Sequence, residues 1–143
     1  MAADDRPVIN SWADTAEYAR KHFINVRREE VHVLCLNSRN VLVHHARVAE
    51  GSVDSCSVDP RDVFGAAVAM RAAGIVVVHN HPAGDPEPSI ADVTLTKRLQ
   101  VGAQALGIRL HDHVVLGHSR FVSLAERGLI SSKPPPRAAL QSS

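Results

Sequence analysis

A short apolar run rich in β-branched residues, Gly74-Ile75-Val76-Val77-Val78, leads directly into His79-Asn80-His81-Pro82, with Ser89 and Asp92 close behind. Bounded by turn formers, such a run reads as a buried strand. Residues two apart on an extended chain point to the same side, so His79 and His81 can face one point at the strand's C-terminal end. Open α/β sheets place their ligands at that end. Pro82 stops the strand, and Ala83-Gly84-Asp85-Pro86-Glu87-Pro88 makes a stiff, turn-rich loop. Ser89 is a good N-cap for the helix that follows, and Asp92 lies in its first turn, able to look back at the strand end. Strand, loop and helix start therefore converge on one pocket.

Two imidazoles and a carboxylate are the donors of a catalytic zinc site, which uses three protein ligands and leaves a fourth position for water. The chain has 9 histidines among 143 residues, so an isolated His-x-His would be weak. An Asp in a first helical turn often only answers the macrodipole. Here both occur with Pro82 and Ser89 in a strand–loop–helix setting, and metal binding is the reading that uses all of them.

The rest of the chain alternates helical and extended patterns. Residues 13–23 read as a helix with Trp12, Ala16, Ala19, His22 and Phe23 on its less polar side. Residues 31–36 and 41–48 read as strands joined by a hairpin at Asn37-Ser38-Arg39-Asn40. Asp59-Pro60 opens a helix expected to reach about Ala73, with Gly74 past its end. A longer helix is expected from Ser89 to about Leu106, stopped by Gly107, then strands at 109–116 and 121–123 joined through Gly117-His118-Ser119-Arg120. Leu124 to Gly128 could form one helical turn. The residues from Ser131, including Lys133-Pro134-Pro135-Pro136, read as a disordered Pro-rich tail.

The spacing His79-x-His81-Pro82, six residues, Ser89, two residues, Asp92 resembles the JAMM motif of MPN-domain metalloproteases. The fuller string HNHPAGDPEPSIAD is similar to that of the RadC family, a bacterial branch of that superfamily, whose usual wording has Ser where this chain has Ala83. The likeness continues through Arg28-Glu29-Glu30 leading into VHVLCLN, then GSVDSCSVDPRDVF, AAVAMRAAG, LHDHVVLG and FVSLAERGLI, in chain order over roughly residues 28–130. The helix-hairpin-helix portion of longer RadC proteins is missing, so a short form is expected. It would comprise an N-terminal segment with one helix (1–27), the catalytic domain (28–130) and the tail (131–143).

The resemblance implies an α/β MPN fold, a mixed β-sheet flanked by helices with a cytidine-deaminase-like three-layer core. It implies that His79, His81 and Asp92 bind Zn²⁺, that Ser89 hydrogen-bonds a developing oxyanion, and that an upstream Glu is the general acid/base. The match places that Glu at Glu30. Strand alternation puts Glu30 with His32, Leu34 and Leu36, and Glu29 with Val31, Val33 and Cys35; both sides are partly apolar, so periodicity leaves the choice open. A zinc-dependent hydrolase of peptide or isopeptide bonds is the implied activity, on a protein or peptide substrate that the motif does not identify. A non-catalytic DNA-repair or mobile-element accessory is the alternative that the RadC name suggests.

Charge and composition weigh on these readings. A net charge of +1 gives little electrostatic attraction to nucleic acid, so DNA is a weakly supported partner. Hydrophobic residues make up 45% but aromatics only 3%, so a compact core must rely on Val, Leu, Ile and Ala. No apolar run can span a bilayer, there is no signal peptide, and Cys35 and Cys56 supply neither a disulfide framework nor a Cys-x-x-Cys site. The cytosol is the default compartment. A zinc nucleobase deaminase would want His-x-Glu and Pro-Cys-x-x-Cys, which are absent. An HNH nuclease spreads its three residues over a longer ββ–metal motif, unlike the contiguous His79-Asn80-His81.

The remaining histidines invite simpler readings. His44 and His45 are strand neighbours that point to opposite faces, which suits surface or sheet packing, and His22 belongs to a helix face. Alternation along His111-Asp112-His113 puts both histidines on one side, where a second metal could bind. The RadC pattern keeps the Asp-His part but usually has an apolar residue in place of His111. For Asp112 and His113 a structural role, or one supporting the ligands by hydrogen bonds, is expected.

Overall fold

The structure is a computed structural model that describes residues 5–22, 27–51 and 58–131. Its elements are α1 (Trp12–His22), β1 (Glu30–Leu36), β2 (Leu42–Glu50), α2 (Pro60–Ala69), β3 (Gly74–Asn80), α3 (Ile90–Leu106), β4 (Arg109–Leu116) and β5 (Phe121–Ser123). The strands form one mixed sheet in the order β2-β1-β3-β4-β5. β3 and β4 are parallel and joined by α3, while the other neighbouring pairs are antiparallel. The expected Pro-rich tail, apart from Ser131, and Cys56 lie outside the described residues.

Helices cover both faces of the sheet, which makes three layers. On one face Val31, Val33, Ile75, Val77 and Val115 meet Val63 and Phe64 of α2 and Leu95 and Leu99 of α3. On the other, Leu34, Leu36, Val76, Val78 and Val114 meet Ala19 of α1 and Ile9, which precedes that helix. Covered on both faces, β3 needs apolar residues at consecutive positions rather than alternating ones, and that is why its sequence is an unbroken Ile-Val-Val-Val.

The ends of α2 and α3 differ in how plainly the sequence marks them. α3 starts at Ser89 with a capping box, its hydroxyl accepting from the Asp92 N–H, and closes at Gly107 with φ 67°. α2 starts as expected, with Asp59 accepting from the Arg61 N–H and Pro60 in the first turn, but it ends at Ala69 rather than near Ala73. The chain leaves it through Arg71 at φ 52°, so a non-glycine residue takes the left-handed position. Gly74 is instead the first residue of β3. A Cβ there would lie 2.3 Å from the His111 ring, and this close approach is what glycine permits.

A register shift between Ile75 and Val76 lets β4 slip past His111, pairing Ile75 with Leu110 and Val76 with Asp112. The bulge breaks the alternation read from the sequence. His111 packs over Gly74 at the start of β3, whereas His113 sits opposite Val77, farther along the strand. Among the described residues no group fit for a metal contains His111, so the second metal site that alternation allowed, and that the sequence reading did not favour, is not found there. Asp112 has the expected structural part. Its carboxylate accepts from Ser123 Oγ at 2.5 Å, from the His113 N–H at 2.7 Å and from the Ala125 N–H at 3.0 Å, clamping β5 and the following turn onto β4.

α1 is held to its face of the sheet by polar contacts as well as packing. Tyr18 Oη lies 2.9 Å from His45 Nδ1, His45 Nε2 lies 2.7 Å from His32 Nδ1, and His32 Nε2 lies 3.0 Å from Glu30 Oε1. Arg47 closes the chain, donating to Glu30 Oε2 at 3.0 Å. His45 is thus a packing residue of the sheet, and His22 stacks on the Tyr18 ring.

Candidate metal centre

Val31 of β1 lies opposite His79 of β3. Paired residues of an antiparallel ladder share a face, and so do residues two apart on one strand. Glu29, His79 and His81 therefore share the face that carries α2 and α3. Glu30 stands one residue out of phase. Its backbone N–H donates to Asn80 Oδ1 at 2.7 Å, and its carboxylate engages His32 and Arg47 on the opposite face. The expected acid/base Glu30 is thus not brought to the histidine cluster. Glu29 is, with Oε2 at 3.2 Å from His79 Nε2.

α3 supplies the central carboxylate. Asp92 is fully buried, with Oδ1 at 2.7 Å from His79 Nδ1 and Oδ2 at 3.2 Å from His81 Nε2. Oδ2 also accepts from the Ser89 N–H at 2.8 Å and from Ser89 Oγ at 3.0 Å. Burial by itself would push the Asp92 carboxyl up, but the hydrogen bonds from His79, His81 and the Ser89 backbone outweigh it and hold Asp92 well below the usual carboxylate range. The hydrogen bond to Asp92 pushes His81 up, against partial desolvation. The helix cap and the site are one construction: Ser89 orders α3 and steadies Asp92 together.

The loop between β3 and α3 is braced from the β4–β5 turn and from Arg127 beyond β5. His118 Nε2 lies 2.9 Å from the Pro82 carbonyl, and the His118 N–H donates to the Gly84 carbonyl at 3.1 Å. A Cβ at Gly117 would meet that same carbonyl at 2.2 Å. Arg127 grips Glu87 with two hydrogen bonds, at 2.6 and 2.9 Å.

The cluster has a shortage of protons. His81 Nδ1 lies 2.9 Å from the Asp85 carbonyl, which can only accept, so a neutral His81 turns a bare Nε2 toward a carboxylate. His79 has a carboxylate at each ring nitrogen, whereas a neutral imidazole carries one N–H. Positive charge between these donors resolves both conflicts, and a divalent ion fits the donor set. His79, Asp92 and His113 each bring one ligand atom within 4.8 Å of the others. His113 Nε2 is the one buried side-chain polar atom without a hydrogen-bond partner among the described residues, and burial pushes the His113 imidazole down to about 4.

Beside the cluster lies an open groove of about 630 Å³ lined by Arg27, Arg28, Glu29, Glu50, Pro82 and Ala83.

The structure thus brings together four of the residues singled out in the sequence, His79, His81, Ser89 and Asp92. It sets Glu30 apart and adds Glu29 and His113. Glu29 was adjacent to the expected residue, and only the β1–β3 register, which one sequence does not carry, separates the two. His113 was visible as part of a His-Asp-His string, but its partner α3 is not signalled there.

Comparison with known proteins agrees with this architecture. A family model described as a RadC-like JAB domain matches residues 9–129. A UPF0758 protein of Staphylococcus carnosus is 41% identical over 125 residues, covering 87% of this chain and 55% of the relative. UPF0758 proteins of Rhodobacter capsulatus and of Geobacillus sp. are similar at 39% and 38% identity, over 87% and 91% of this chain. The chain spans a little over half the length of these relatives, 55–58%.

Proposed function

This chain belongs to the family of RadC-like JAB domains, and on that premise we propose that it is a zinc-dependent hydrolase of the JAMM type, acting on a peptide or isopeptide bond. The observation that carries the reading is the meeting of Glu29 and Asp92 on His79, with His81 against Asp92, beside a groove that Glu29 lines.

In this reading His79, His81 and Asp92 hold the ion. Zinc bound there supplies Lewis acidity, acidifying water to a pKa of about 7 and polarising a scissile carbonyl. Glu29, half-buried beside His79, takes a proton from the attacking water at its carboxylate and returns it to the leaving nitrogen. Ser89 Oγ turns its proton from Asp92 to the carbonyl oxygen as negative charge develops there. The groove past Arg27, Arg28 and Pro82 seats the chain to be cut. Among the described residues no helix is long and apolar enough to cross a membrane. Cys35, a buried free thiol, suits the reducing cytosol, where we place the protein.

The test is digestion of peptide and isopeptide-linked libraries by zinc-loaded protein. Cleavage by wild type that is lost in Glu29→Gln supports the reading. Absence of cleavage together with salt-dependent DNA binding would favour the accessory role instead.

A further inference from the structure

Thr96 lies one turn beyond Asp92 on α3 and is fully buried. Its hydroxyl donates to the Asp92 carbonyl at 2.9 Å and stands 2.7 Å from His113 Nδ1. A hydroxyl has one proton, and this one is committed to a carbonyl, which cannot donate in return. For both contacts to be hydrogen bonds, the Thr96 oxygen accepts from His113. That arrangement puts the His113 proton on Nδ1 and leaves Nε2 with a bare lone pair. That nitrogen belongs to a fully buried side chain and has no hydrogen-bond partner among the described residues. It is also the atom type that metal-binding histidines present when their other nitrogen is fixed by a hydrogen bond. The ring lies 6.3 Å from that of His79, centroid to centroid, and a ligand atom of His113 falls within 4.8 Å of those of His79 and Asp92.

We infer that His113 Nε2, supplied by β4, is a further protein donor to the ion held by His79 and Asp92, and that Thr96 is the positioning residue that fixes its tautomer. The His-x-His…Asp spacing assigns neither residue. The inference takes its ion from the zinc reading above, but its geometry stands independently of any activity. With His81 also engaged, four protein groups would hold the ion, and hydrolysis would need room for water beside them.

The test follows the histidine nitrogens of the full chain by ¹⁵N NMR as one equivalent of zinc is added. A parallel competition with a chromogenic chelator measures zinc affinity for wild type and Thr96→Val. His113 is expected to show a protonated Nδ1 before and after, and an Nε2 resonance that moves when zinc binds. Thr96→Val, which keeps the volume but removes the acceptor, is expected to lose the fixed tautomer and about 10- to 100-fold in zinc affinity. Because His113→Ala opens a buried cavity and puts folding at risk, Thr96→Val and the spectrum of wild type carry the test. Zinc uptake that leaves the His113 Nε2 resonance in place, or wild-type affinity in Thr96→Val, would overturn the inference while leaving the hydrolase reading intact. Failure of wild type to take up zinc at all would overturn both.

Discussion

Val31 and His79 face each other across the β1–β3 pair, and that register decides which of two adjacent glutamates reaches the histidine cluster. A slip of one residue would exchange the faces of Glu29 and Glu30. As built, Glu29 meets His79 at 3.2 Å while Glu30 is tied to His32 and Arg47 at 3.0 Å each. The two carboxylates should therefore fail in different ways. Glu29→Gln is expected to lower kcat by about 10²- to 10⁴-fold with zinc content unchanged, the loss typical of a general acid/base. Glu30→Gln is expected to keep kcat within a few-fold and to lower the urea midpoint. The reverse pattern would return the acid/base role to Glu30.

Acid should loosen α1 through the network that Glu30 ends. Burial, with His32, His22 and His44 nearby, pushes His45 down to about 4, and burial also lowers His32. A histidine whose folded pKa lies below its unfolded value of about 6.5 binds more protons unfolded in that interval, so stability is lost as pH falls. Metal-free protein should lose urea resistance from about pH 6.5 toward 4, and His45→Asn should flatten that slope. An unchanged slope in the variant would exclude His45 as the source.

Ser89→Ala removes a helix cap and one of the groups that steady Asp92. Chemical denaturation should show a loss of about 1 kcal/mol, the usual cost of a deleted cap. Hydrolysis should fall by about 10²- to 10³-fold if Ser89 also donates to the oxyanion. Ser89→Thr, which can still cap, separates the effects: restored stability with kcat still low would assign the catalytic part to the small serine hydroxyl. A Ser89→Ala enzyme of full activity would leave Ser89 a cap alone.

Asp112→Ala leaves three donors without their acceptor, Ser123 Oγ and the N–H groups of His113 and Ala125. Each buried donor left unpaired costs about 1–3 kcal/mol, so denaturant melts should show one of the larger losses of any single substitution in the sheet. A change below about 0.5 kcal/mol would mean that β5 is held by other contacts.

Much of this fold and site is legible in the sequence itself. The unbroken Ile-Val-Val-Val of β3, Pro82, the Ser89–Asp92 box and Gly107 are local signals, and each marks its element because the responsible interaction lies within a few residues. What stayed hidden depends on distant partners. The end of α2 turns on Arg71 taking a left-handed φ that sequence would assign to glycine. The bulge that separates His111 from His113 arises between two strands joined by α3. Glu29 is selected by a pairing register, and the tautomer of His113 by a threonine on another element. Strand alternation shows that two residues differ in face; it does not show which face bears the site.

The central claim is that one divalent ion sits among His79, Asp92 and their neighbours, and metal analysis of purified, zinc-equilibrated protein beside Asp92→Ala tests it most directly. The account predicts about one zinc per chain in the wild type and loss of that zinc in a variant that still folds. Wild-type protein that emerges metal-free, or an Asp92→Ala variant that keeps its full zinc content, would contradict it.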